Sequence, residues 1–219
     1  HVIETVNAFD NVLYEISNEN HPLSTAWQYH MIRFIKETER DLPKQHPVGM
    51  TFQFKGGSNQ TLFDSHADWI SPNPESGYQD DPPAADGTKV ILTDTDHLWG
   101  IGGSAQWVWK SFLRGLNPIF MDAYDGKVLT KSFDPAWAEP LRKSLGDTLA
   151  FAERMDLIHM VPDGALASTS YCLANRGSEY LAYLPEGQAV DLDLKQHPGT
   201  YDVTWFHPDG GESVVAKAV

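Results

Sequence analysis

The chain has 219 residues, of which 41% are hydrophobic and 21% charged, the balance of a soluble globular protein of one or two domains. Lys and Arg total 16 against 30 Asp and Glu, a formal charge of -14 that repels phosphate backbones and argues against nucleic acid as a partner. No apolar run approaches the roughly 18 residues of a membrane span, and the single cysteine, Cys172, permits no intrachain disulfide.

In chain order, Val2, Ile3, Val6 and Phe9 recur at helical spacing, so the chain opens inside an amphipathic helix. The opening residues show no signal-peptide pattern, so none is expected within this stretch, and a processed or missing preceding region stays open. Residues 12–16 (VLYEI) read as a short strand. Leu23 to Arg40 reads as a helix with Trp27, Ile32, Phe34 and Ile35 as its apolar positions, closed by Pro43 and Pro47. Strands follow at Val48 to Phe54 and Ala67 to Ile70, with a helical turn around Leu62 and Phe63 between them. Residues 71–88 carry four prolines and read as a long loop. The run KVILT (89–93) suits a strand buried on both faces. A helix over Ser104 to Leu116, a strand over Pro118 to Met121 and a long helix over Pro135 to Met155 complete an alternation of strand and helix. That alternation predicts parallel α/β organisation.

After Pro162 the pattern changes to alternating β-rich segments without helices: 168–173, 179–184, 189–194, 201–206 and 213–218. Turn signals such as Pro198-Gly199 and Asp209-Gly210-Gly211 separate them. These predict a small antiparallel β-sandwich, with a domain boundary between residues 162 and 163.

Two stretches carry candidate chemistry. Ser17-Asn18-Glu19 ends the first strand, where a carboxylate could protonate a leaving oxygen and Asn18 could bind a hydroxyl. The competing role for Glu19 is capping the loop before the next helix. Thr93-Asp94-Thr95-Asp96-His97-Leu98-Trp99 ends the KVILT strand. Glycoside hydrolysis needs two carboxylates across the scissile bond, and Glu19 with Asp94 or Asp96 would supply them from separate strands. Against this, Asp94 could cap the loop and His97 could be satisfied by a carbonyl. The Asp-x-Asp-His order, with His21 and His66, also permits a metal, but no tight ligand spacing supports one. Asp122 ends the next strand, and Trp69 and Trp99 lie near strand ends where they could stack on sugar rings. No cofactor is required.

The segments NVLYEISNENH, QHPVGMTFQ, ILTDTDHLWGIGG, WVWKSFLRGLNPIFMD and YCLANRGSEYLAYLP together resemble bacterial TIM-barrel glycoside hydrolases of the clan that includes cellulase-like and apiosidase-like enzymes. The tail is similar to a small β domain of the collagen-binding type. The resemblance implies a partial (β/α)8 TIM barrel, about strands four to eight, over residues 1–162, followed by the small β domain over 163–219. It implies an enzyme of the O-glycosyl hydrolase class acting on a plant or microbial polysaccharide or oligosaccharide. Glu19 would be the acid/base, Asp94 or Asp96 stands where that clan has a glutamate nucleophile, and Asn18, His97, Trp99, Trp69 and Asp122 would bind substrate. A secreted or periplasmic location is also implied. With strands one to three missing, the chain would be a fragment or would complete its barrel with another chain or by self-association. The alternative is a non-catalytic carbohydrate- or protein-binding module in which the β domain braces the rest.

Overall fold

The computed structural model describes every residue except 124, 125, 129, 130, 133, 188, 217 and 219. A short helix α1 (Val2–Val6) leads to β1 (Tyr14–Glu15), and a 3-10 turn (Pro22–Ser24) runs into α2 (Thr25–Glu39). Then come β2 (Val48–Thr51), α3 (Asn59–Phe63), β3 (Trp69–Ser71), β4 (Val90–Asp94), α4 (Thr95–Trp99), α5 (Ala105–Leu113) and β5 (Asn117–Ile119). A small hairpin of β6 (Lys127–Val128) and β7 (Lys131–Ser132) precedes α6 (Glu139–Arg154). The five strands β1 to β5 pair in sequence order, all parallel.

The expected partial TIM barrel is not formed. The sheet is open, because β1 and β5 are its two edges and do not pair with each other. Barrel closure requires a strand count, tilt and stagger that five short strands do not supply. The architecture is an open parallel α/β sheet followed by small antiparallel sheets.

The register sorts the strand residues into rows. Met50, Ile70 and Ile91 share one row, and all three are buried. They pack under Ile32 and Ile35 of α2, Leu62 of α3 and Leu98 of α4. Each such side chain contributes roughly 1.5–3 kcal/mol relative to exposure. In α2 the buried positions Gln28, Ile32, Ile35 and Glu39 follow the helical repeat. Trp27 and Phe34 therefore fall on its outer face, each about half exposed, although both are apolar. The neighbouring row on the opposite sheet face contains Gly49, Trp69 and Val90. Here the Trp69 ring lies directly on Gly49, and a Cβ at Gly49 would stand 1.9 Å from Trp69 Cε2.

Helix α5 is buried on two sides, which explains its nearly continuous apolar surface. Trp107 and Val108 join the sheet-side core. Trp109, Phe112 and Leu113 join a second core with Phe151 of α6 and with Met160, Tyr171 and Leu173. Those last residues belong to the C-terminal β region. Its three-stranded antiparallel sheet has the order β10 (Glu179–Ala182), β9 (Cys172–Asn175), β8 (Val161–Pro162), and a separate hairpin pairs β11 (Thr204–Phe206) with β12 (Ser213–Val215). This is not the expected five-stranded sandwich. Of the 189–194 stretch, only Leu192 pairs, in one bridge to Ala167. Cys172 is buried and its thiol is pushed up to about 12, mainly by desolvation, so it behaves as a small apolar residue.

At the edge of the sheet near β1, Glu39 closes a buried polar network. Its carboxylate accepts from Asn7 Nδ2 (3.0 Å), Tyr14 Oη (3.0 Å), the His46 backbone N–H (2.6 Å) and His46 Nδ1 (2.7 Å). His46 Nε2 lies 2.7 Å from the Phe9 carbonyl. A carboxylate oxygen on one ring nitrogen and a carbonyl oxygen on the other both favour a protonated ring. The Glu39 bond is the main cause that raises His46 above its ordinary value, helped by Phe9. Burial pushes Glu39 up, but the hydrogen bonds from His46, Asn7 and Tyr14 outweigh it and leave the carboxyl below its ordinary value.

Two outcomes are expected. The Gly49→Ala protein loses roughly 1–3 kcal/mol in urea unfolding because the Trp69 ring must move; an unchanged midpoint refutes the contact. The His46 contribution is fully present below the ring's unfolded pKa and is lost as pH rises through the raised folded value. The Glu39 contribution is present above its unfolded pKa and is lost as pH falls through the depressed folded value. Thermal melts against pH should show a plateau between the two, and His46→Gln should remove the alkaline decline.

Candidate functional site

The carboxylate cluster sits at the C-terminal ends of the parallel strands, where open α/β sheets place their ligand sites. The chain leaves β1 through Ser17-Asn18-Glu19, and Glu19 has a φ of 46°, in the left-handed region that a bulky residue rarely occupies. Such a conformation costs roughly 1–3 kcal/mol and persists only where neighbours impose it. Thr51, the last residue of β2, is the neighbour. Its Oγ1 accepts from the Glu19 backbone N–H at 3.3 Å and lies 3.1 Å from the Ser17 carbonyl and 3.2 Å from Glu15 Oε1.

On the far side, β4 runs into α4. Asp94 is the N-cap of α4, and its Oδ1 accepts from the Asp96 N–H at 2.9 Å. The cap turns the chain so that Asp96 and His97 face Glu19. One ligand atom each from Glu19, Asp96 and His97 lies within 4.8 Å of the others. His97 is buried, edge-on to Phe52 with ring centroids 5.0 Å apart. Its Nδ1 is 2.7 Å from Ser71 Oγ at the end of β3, and its Nε2 is 3.4 Å from Asn18 Oδ1. Glu19 and Asp96 are partly open to solvent and Asn18 is exposed.

The Glu19 carboxyl is held above its ordinary value. Desolvation is the largest cause, followed by the charge of Asp96. His97 opposes the shift and Asp94 adds a smaller push. A carboxyl raised in this way beside a second carboxylate is the pattern by which acid and base roles are separated at one pH. The same three ligand atoms, two carboxylate oxygens and one imidazole nitrogen, are also of the kind that hold a divalent cation.

The other sequence-predicted residues are placed as follows. Asp94 serves as the helix cap just described. Asp122 is bound by Arg142 of α6, with Oδ2 2.7 Å from Nε, and the Arg142 bond holds the carboxyl below its ordinary value. The Trp69 ring is buried on Gly49, whereas the Trp99 ring packs edge-on to Trp107 with centroids 5.3 Å apart and remains partly exposed. His21 caps the 3-10 turn before α2 by accepting from the Leu23 N–H. His66 is exposed in the connection that enters β3, at the N-terminal ends of the strands, opposite the cluster. Neither joins the cluster. Thr51 and Ser71, which hold Glu19 and His97, were not expected from the sequence. Their available signal is their shared position as the last residue of adjacent strands.

Comparison with protein families matches residues 158–219 to the family described as "Putative collagen-binding domain of a collagenase". The C-terminal β region is therefore similar to that family, and the match includes β8 through β12. No curated protein and no solved structure matches the chain.

Removing the Asp96 charge should lower the Glu19 pKa. In the Asp96→Asn protein, the Glu19 carboxyl signal followed by carbon NMR is expected to titrate at lower pH than in the parent chain. A midpoint that stays put or rises would show that the two carboxyls do not sense each other.

Proposed function

We propose that the chain cleaves glycosidic bonds by two-carboxylate chemistry, with Glu19 as the acid/base and Asp96 as the nucleophile. One observation carries the reading: a Glu19 carboxyl held above its ordinary pKa lies within 4.8 Å of a ligand oxygen of Asp96. Carboxyls about 5–5.5 Å apart suit a retaining displacement, whereas inversion needs roughly 6.5–9.5 Å to admit water. Glu19, protonated, gives its proton to the leaving oxygen as Asp96 attacks the anomeric carbon and forms a glycosyl ester. Glu19, now ionised, takes a proton from the water that cleaves the ester. Asn18, exposed beside Glu19, donates a hydrogen bond to a ring hydroxyl. Asp94 supports the reaction by fixing the start of α4 rather than by attacking.

The test is turnover on a panel of aryl glycosides. Glu19→Gln should lower kcat/KM by roughly 10²–10⁴-fold, the usual worth of a positioned acid/base, with an unchanged melting temperature and no effect of chelator on the parent chain. Loss of activity on chelation would instead assign the Glu19, Asp96 and His97 cluster to a metal.

A second reading is favoured by the match over residues 158–219, that of a non-catalytic binding role for the C-terminal β region. Co-sedimentation of the intact chain with collagen fibrils and with insoluble polysaccharides separates the two readings. Retention on either matrix by a chain that turns over no glycoside supports binding alone.

A further inference from the structure

We infer that Thr51 is the positioning residue for Glu19, setting the backbone turn that aims the acid/base carboxyl. The inference rests on the two-carboxylate reading above and deepens it.

The turn has an unusual demand. Within the four residues that follow the Glu15 that ends β1, the chain must reverse far enough to bring Glu19 back over the strand ends. It does so by placing Glu19 at a φ of 46°. Glycine adopts that region without cost, whereas glutamate needs an external tie. Among the described residues, the backbone N–H of Glu19 has a single hydrogen-bond acceptor, and it is the Thr51 hydroxyl oxygen at 3.3 Å. The same oxygen stands 3.1 Å from the Ser17 carbonyl. A hydroxyl can accept and donate at once. Thr51 therefore accepts at Glu19 and can donate to Ser17, clasping both ends of the three-residue turn with one oxygen. Glu15 Oε1, at 3.2 Å, is the alternative acceptor for that proton.

Thr51 is suited to the task because it is buried and paired within the sheet. It is 2% exposed and lies opposite Ser71 in the β2–β3 ladder. Its Oγ1 is thus anchored by a central pair of the sheet, while the turn it holds lies at the sheet's edge. A β-branched side chain also has few χ1 alternatives. Removing the hydroxyl leaves the turn with no fixed partner for the Glu19 N–H. The left-handed residue then relaxes, and its carboxyl swings away from Asp96 toward water.

The experiment compares Thr51→Val, which keeps the shape and removes the oxygen, with Thr51→Ser, which keeps the oxygen. The Glu19 carboxyl is identified as the signal lost in Glu19→Gln protein and is titrated by carbon NMR on glutamate-labelled chain. In Thr51→Val, its midpoint is expected to fall toward the ordinary carboxylate value, while Thr51→Ser retains the parent midpoint. On a cleaved aryl glycoside, Thr51→Val should lose roughly 10–100-fold in kcat, as for a small misplacement of a reacting group. KM should change little, and the alkaline limb of the kcat/KM profile, where the acid is lost, should move with the NMR midpoint. A Thr51→Val chain that titrates as the parent does, or a Thr51→Ser chain that shifts as far as Thr51→Val, overturns the inference. The titration needs no substrate, so a parent chain without turnover counts against the glycosidase reading and leaves the Thr51 result to stand or fall by its midpoint.

Discussion

The parallel register between β2, β3 and β4 is the constraint from which the site follows. It sets Met50, Ile70 and Ile91 in one buried row and Gly49 and Trp69 in the next. It also ends β2 and β3 on paired hydroxyl residues, Thr51 and Ser71. A slip of one residue in either strand would turn the apolar row to the wrong face and would separate these hydroxyls. One of them holds the exit from β1, the other holds His97. The apolar packing under α2 and the polar geometry at the strand ends are thus two results of a single alignment.

Much of the helix and strand order was legible in the sequence because hydrophobic periodicity reports burial directly. The long helices α2 and α6 and the KVILT strand are examples. Closure was not legible. Whether successive parallel strands curve into a barrel or stay open depends on strand number and stagger, and residues such as Val48 or Ile91 look the same in either. Helix α4 was hidden because Thr-Asp-Thr-Asp-His reads as an extension of the strand before it. Its one signal is Asp94 in the N-cap position with a second acid in the first turn. Strand β8 was missed because Pro162 interrupts a two-residue pattern. The 189–194 stretch alternates as a strand should, yet only Leu192 pairs.

The site shows the same division. Asn18, Glu19, Asp96 and His97 were legible as polar residues at strand ends, and the fold brings them together. The aromatic candidates were not separable by sequence. A tryptophan near a strand end can face a ligand or a core; Trp69 is buried against Gly49, while Trp99 packs against Trp107 and stays partly exposed. Asp122 is held in an ion pair with Arg142, a partner on a helix far along the chain that the sequence does not assign to it.

The position of Trp109 has a consequence for how the molecule comes apart. Its ring meets Phe151 of α6 at 5.4 Å, Tyr183 at 6.0 Å and Phe206 of the β11–β12 hairpin at 5.8 Å. Together with Phe112 and Leu113 it joins the helical layer to the C-terminal β region, which has its own antiparallel hydrogen-bond ladder. Opening that aromatic contact exposes both surfaces together. If they open together, amide exchange in β9 and in α5 would be governed by a shared opening event. A loss of packing far from the strand ends would then be felt at Asp96, through α5 and the short link that joins it to α4.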